Sequence, residues 1–185
     1  MGRLENKKIL VIVGQTNYDE EELNPVKERL ESEGADLFIA TNSMQKALGR
    51  LEGFVTPDLT IEEAASEDFD AVVIIGGYGA SVHLVDDPAT HAVVQQAVSK
   101  GKVIAAASTA PMVLLRAGIL HGKKATVFPD YNATLAFKTH QVQLVHEDVV
   151  EDDNIITTNH HRVVDKLIDA LIKKLESEDV SEKAG

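Results

Sequence analysis

Hydrophobic and polar positions alternate along this chain in two distinct rhythms. Lys7-Lys8-Ile9-Leu10-Val11-Ile12-Val13-Gly14, Asp36-Leu37-Phe38-Ile39-Ala40-Thr41, Asp70-Ala71-Val72-Val73-Ile74-Ile75, Lys102-Val103-Ile104-Ala105-Ala106-Ala107 and Asn154-Ile155-Ile156-Thr157-Thr158 each contain apolar residues at successive positions. Such runs are expected of parallel strands covered on both faces. Between them the apolar positions recur with helical spacing. Asp19-Glu20-Glu21-Glu22 opens an acidic helix that stops at Gly34, and Pro25 moves its expected start toward Asn24. Thr60-Ile61-Glu62-Glu63 has the form of a capping box, and Asp87-Pro88 opens a helix that Gly101 closes. Val163, Val164, Leu167, Ile168, Leu171, Ile172 and Leu175 share one face of a final helix. Shorter strands are expected at Gly53-Phe54-Val55, Ala125-Thr126-Val127-Phe128 and, half exposed, Gln141 to Val145; Gly76 to Ala80 reads as a flexible loop. Strands alternating with helices predict an α/β fold, a doubly wound parallel sheet in a three-layer α/β/α sandwich, with its ligand crevice at the carboxyl ends of the strands.

Length and composition narrow the reading. The 185 residues, 44% hydrophobic, suffice for one well-buried domain. Its expected limits are 7–175, with residues 1–6 as a flexible start and the polar stretch 176–185 as a disordered tail. A formal charge of −12 argues against nucleic acid and anionic membrane surfaces as partners. There is no cysteine, so no disulfide, thiolate metal site or cysteine nucleophile is available. The start Met1-Gly2-Arg3-Leu4-Glu5-Asn6 does not read as a signal peptide, and a cytoplasmic location is the default expectation.

The candidate chemistry centres on Ser108. A buried strand passes directly into a helix carrying Pro111 in its first turn, and Ser108 stands at the junction with Ala106 and Ala110 two residues to either side. A sharp strand-to-helix turn crowds its neighbours and demands small ones, which is the steric logic of a nucleophile elbow. Helix N–H groups at such a turn favour developing negative charge. A serine N-cap on an ordinary helix fits the stretch as well.

The order of an acidic helix with Glu22 twelve residues before Gly34, a Gly76-Gly77 loop after a strand, and Gly101-Lys102 through Ser108 to Pro111 resembles the ThiJ/PfpI superfamily. That group includes the parkinsonism-associated deglycase and intracellular protease-like members. The resemblance covers about Lys7 to Leu175 and implies a flavodoxin-like, class I glutamine amidotransferase-like fold. It places the family's nucleophilic cysteine on Ser108 and the carboxylate that contacts it on Glu22. It places the oxyanion-binding N–H groups on Gly76, Gly77 and Thr109. It also marks departures: Ser108 replaces cysteine, Thr109 stands where many members carry histidine, and Phe128 where some do. The resemblance implies a glyoxalase, deglycase, amidase or peptidase-type reaction on a small carbonyl metabolite or a modified protein side chain. It implies no cofactor, and a homodimer or higher homo-oligomer.

Serine for cysteine changes the chemistry. A thiol at a helix N-terminus ionises readily, whereas a hydroxyl needs a positioned general base. Weak, altered or lost catalysis is therefore expected, and a natural loss of the thiol reads the same as an engineered replacement. A non-catalytic metabolite-binding or stress-related interaction protein is the competing reading. A nucleotide or flavin binder ranks last, because no Gly-x-Gly-x-x-Gly fingerprint or phosphate-loop lysine follows the first strand. His160-His161 read as cap and surface residues, and the other histidines lack metal-ligand spacing, so no metal site is assigned.

Overall fold

The structure, a computed structural model, describes residues 2–184. Seven strands form the central sheet: β1 (Lys8–Ile12), β2 (Asp36–Thr41), β3 (Leu59–Thr60), β4 (Ala71–Ile74), β5 (Val103–Ala106), β6 (Val149–Asp152) and β7 (Ile155–Thr158). They lie side by side in the order β6-β7-β5-β4-β1-β2-β3. Every neighbouring pair is parallel except β6 with β7, so the sheet is mixed at one edge. The chain builds outward from β1 through β2, then returns to the other side of β1 with β4. That reversal puts a topological switch point between β1 and β4, where ligand crevices form.

Side-chain alternation divides the core into two. Leu10, Ile12, Val72, Ile74, Ile104 and Ala106 face the helices α2 (Ile61–Ala64), α4 (Pro88–Ser99) and α5 (Pro111–Arg116). Ile9, Val11, Val73, Val103, Ala105 and Ile156 face α1 (Glu20–Ser32) and α7 (Val164–Ala184). The three-layer α/β/α sandwich expected from the sequence is thus the observed architecture. Register aligns the strand ends: Ile12 is level with Ile74, Ile74 with Ala106, and Ala106 with Thr157. The segments after these residues therefore meet at one edge.

Several elements differ from the sequence reading. Helix α1 begins at Glu20, because Asp19 caps it by accepting a hydrogen bond from Glu21 N–H at 2.9 Å; Pro25 lies inside the helix rather than at its start. Gly77 leads at once into α3 (Tyr78–His83), so the expected flexible loop is one residue of turn and then helix. A helix α6 (Tyr131–Thr139), capped by Asp130, was not anticipated, since only Ala133 and Phe137 of it are buried. The strand expected over 125–128 is confined to Lys124–Ala125, which pairs with Gln143–Leu144 in a separate two-stranded sheet. Phe54–Val55 pairs with Ala47–Gly49 in a small separate sheet that also takes in Thr16–Tyr18. At the amino end Leu4 is fully buried and Arg3 pairs with Glu33, so those residues are anchored to the domain. Helix α7 continues past Glu176 to Ala184.

One buried carboxylate ties the small sheet to the helix that carries part of the site. Glu20 accepts hydrogen bonds from the backbone N–H groups of Leu51 and Gly53. Glu20→Ala strands those donors beside an apolar methyl, and a loss of about 1–3 kcal/mol is expected. Urea unfolding reads the loss, and amide exchange should accelerate first at Leu51 and Gly53. Unchanged exchange there would contradict the role given to Glu20.

Candidate active site

Ser108 sits two residues beyond β5 with φ of +48°, a left-handed conformation that a non-glycine residue seldom adopts. Two bonds hold it there. Ala107 N–H donates to Ile74 C=O at 3.1 Å, and Phe128 N–H donates to Ser108 C=O at 2.7 Å. Pro111 then supplies the first residue of α5, with no N–H to satisfy. Strain of this kind is retained where the surrounding structure imposes it, and it clusters at sites of chemistry. The elbow expected from the small residues around Ser108 is present in its backbone form.

The crowding falls on Gly76. A Cβ added there would lie 2.1 Å from Ser108 Oγ and 2.5 Å from Ala107 O, so only glycine fits. Gly77 adopts φ of +94°, turning the chain from β4 into α3. Thr109 closes the opposite side by donating its hydroxyl to Gly77 C=O at 3.0 Å. The adjacent carboxyl ends of β4 and β5 thus bring Gly76, Gly77, Ser108 and Thr109 together, as their places at strand ends implied.

Glu22 enters from α1 and is completely buried. Its Oε2 accepts a hydrogen bond from Gly76 N–H at 2.6 Å. Burial disfavours the charged form and pushes the carboxyl up to about 7; the neighbouring Ser108 hydroxyl and the Gly76 amide bonded to it pull in the other direction. Asp19 adds to the upward push, and Arg50 opposes it. Oε1 of Glu22 and Oγ1 of Thr158 are buried without a hydrogen-bond partner among the described residues. The pairing of Glu22 with Ser108 gives the hydroxyl a neighbour whose proton affinity suits exchange near neutral pH.

One assignment changes. Gly76 N–H is committed to Glu22, so it is not available to an oxyanion while the carboxylate accepts it. The N–H groups of Gly77 and Thr109 donate to no acceptor among the described residues. They, rather than Gly76, are the free donors beside the elbow.

Five further residues border the site. Asp19 N–H donates to Gly76 C=O at 3.3 Å, and its buried carboxylate pairs with Arg50 at 3.1 Å. Arg50 also pairs with Glu21. His161 places Nδ1 3.8 Å from Asp19 and Nε2 3.7 Å from Glu21. Asp19, Glu21 and His161 bring possible ligand atoms within 4.8 Å of one another, yet the Arg50 guanidinium already balances the two acids. His160 caps a single turn of 3-10 helix, as a cap reading of the pair foresaw, and its ring lies 5.7 Å from that of Phe128. Sequence reasoning missed Asp19 and Arg50. The available signal for Asp19 was its place immediately before an acidic helix; Arg50 lies in a stretch without hydrophobic period, and nothing in the sequence pointed to it.

Comparison with known proteins follows the same lines. Residues 7–174 match the DJ-1/PfpI family. An uncharacterized protein of Methanocaldococcus jannaschii is 33% identical over 156 residues, spanning 83% of this chain and 75% of its own. A deglycase of Pyrococcus horikoshii is 28% identical over 151 residues, spanning 82% of this chain and 89% of its own. Among solved structures, a ThiJ/PfpI domain protein from Brachyspira murdochii superposes with a TM-score of 0.85 at 25% identity, covering 94% of this chain and 98% of that one.

Proposed function

The chain belongs to the DJ-1/PfpI family, and from that premise we propose that it acts on small carbonyl compounds in a glyoxalase- or deglycase-type reaction, with Ser108 as nucleophile. The observation that carries this reading is the pairing of a strained, nearly enclosed Ser108 with a buried Glu22 poised at about 7. In the first step Ser108 Oγ bonds to the carbonyl carbon as the C=O π pair moves onto oxygen. The Oγ proton passes to the Glu22 carboxylate, and the new oxyanion takes hydrogen bonds from the Gly77 and Thr109 amides. Ser108 is only 5% exposed, which favours a substrate of a few heavy atoms. Similarity to the Pyrococcus deglycase supports the same class. Incubated with methylglyoxal, the chain is expected to form a 2-hydroxy acid, detectable by NMR, at a slow rate; no product above the protein-free control would refute the reading.

A non-catalytic binding role is favoured by the absence of any cysteine. It predicts saturable carbonyl binding with no turnover, which the same experiment separates.

Assembly as a homodimer is part of the proposal. Leu48 and Phe54 pair across the small sheet and are exposed, as are Met44 and Leu51 beside them. Apolar surface gathered on one hairpin suits a second copy. Light scattering is expected to give twice the chain mass, and Leu48→Glu with Phe54→Glu to give the monomer mass. A monomer before substitution would contradict the assembly.

A further inference from the structure

At the outer edge of the central sheet, β3 is too short to cover β2. The two strands pair only where Ala40 lies beside Leu59 and Thr41 beside Thr60. Asp36 N–H donates to Lys7 C=O, which turns that residue toward β1. Ile39 turns outward: its N–H donates to the Asp58 carboxylate, and its C=O accepts from Asp58 N–H. Leu37, two residues before Ile39 on the same strand, presents its own N–H and C=O to that outer side. A cavity of about 560 Å³ opens along this edge. Leu37, Phe38, Leu59 and Phe69 form its apolar wall, with the two phenyl rings 5.7 Å apart. Asp58, Glu63, Glu67 and Asp68 stand exposed around it, and Lys8 is the cation of the lining. Lys100 pairs with Asp68 at 3.2 Å, and Glu63 accepts from Thr60 N–H at 2.8 Å. A carboxylate that accepts a hydrogen bond keeps its charge, so the rim remains acidic.

We propose that this groove binds an extended basic segment of a partner protein, which adds to the open edge of β2. The segment's backbone bonds to the N–H and C=O of Leu37, as a strand added to a sheet edge does. An apolar side chain of the segment packs on Phe38, Leu59 and Phe69. Lysine or arginine side chains on either side of it meet Glu63, Glu67 and Asp68. Charge complementarity selects this occupant and fixes its position along the edge. A second copy of this chain is the poorer fit, because its formal charge of −12 brings the same sign to the rim. Leu37 lies near the amino end of its strand, whereas Ser108 follows the carboxyl end of β5, so a segment bound here leaves the carbonyl site open.

The test titrates the full chain with a blocked Lys-Arg-Leu-Arg-Lys peptide while amide signals and amide exchange are followed by NMR. Saturable binding is expected, with exchange at Leu37 N–H slowed and affinity falling as salt is raised. The Glu-Glu-Leu-Glu-Glu counterpart should not bind, a comparison that needs no variant. Glu67→Lys with Asp68→Lys should weaken the basic peptide about tenfold. The same charge change at Glu28 and Glu31, exposed on α1 in the opposite layer, should leave its affinity within about twofold. Circular dichroism checks that both variants keep the fold. No saturable binding, unchanged exchange at Leu37, or equal weakening by the α1 variant would overturn the proposal. So would protection of Leu37 that grows with protein concentration without peptide, which would make the groove an interface between copies. Binding of arginine amide as tight as that of the peptide would make it a site for small cations and equally overturn the proposal.

Discussion

Glu22→Gln is expected to lower carbonyl turnover by roughly 10²–10⁴ while making the folded protein more stable above neutral pH. The activity loss follows from the chemistry of serine, whose hydroxyl needs a base, and from the place of the buried Glu22 carboxyl beside Ser108. Glutamine can still accept from Gly76 N–H but cannot take a proton. The pH profile should change with it: the rate of the unsubstituted chain should rise through about pH 7 as Glu22 ionises, and that rise should vanish in the variant. The stability gain has the same origin. Burial raises the folded-state value from 4.5 to about 7, so between those values the native state binds more protons than the unfolded state. Stability contributed by the protonated carboxyl is present below about 4.5 and is lost as pH rises through about 7. The loss amounts to roughly 3 kcal/mol, and glutamine recovers up to that much at pH 8. Urea unfolding at pH 5 and pH 8 measures it. A variant whose advantage does not grow between those values would contradict the assignment.

Ser108→Cys is expected to raise turnover by about 100-fold or more. The backbone at this position already imposes the elbow conformation, and Gly76 leaves room only for a short side chain. A thiol with an ordinary value near ~8.5 gives its proton to Glu22 far more readily than a hydroxyl does. The same substitution should bring sensitivity to peroxide, since a thiolate can climb the oxidation series that serine cannot enter. Rates measured before and after peroxide treatment read both effects. A cysteine variant no faster than the serine chain would mean that attack at this position does not limit the reaction.

Much of this site could be read along the chain because it is built from local backbone constraints. The small residues around Ser108, the glycines after β4 and the proline opening α5 are each demanded by a turn too tight for anything larger, and such demands leave a mark in sequence. Glu22 was legible through its spacing in a resembling family, not through hydrophobic period, which treats a buried acid on a helix as an exposed one. The commitment of Gly76 N–H to Glu22 was not legible, since it depends on how α1 approaches the end of β4 across a sequence separation of 54. Arg50 and the placement of His160 against Phe128 were hidden for the same reason. Helix α6 was missed because only two of its side chains are buried, so its hydrophobic face is too narrow to give a period. The antiparallel edge strand β6 was missed because Val149-Val150-Glu151-Asp152 ends in charge, as an edge exposed to solvent allows.

The most direct test of the account compares methylglyoxal consumption by the chain, by Ser108→Ala and by Ser108→Cys under one set of conditions. Slow turnover by the serine chain, none by the alanine variant and fast turnover by the cysteine variant is the predicted result. Equal rates for the serine and alanine chains would contradict the claim that Ser108 is the nucleophile.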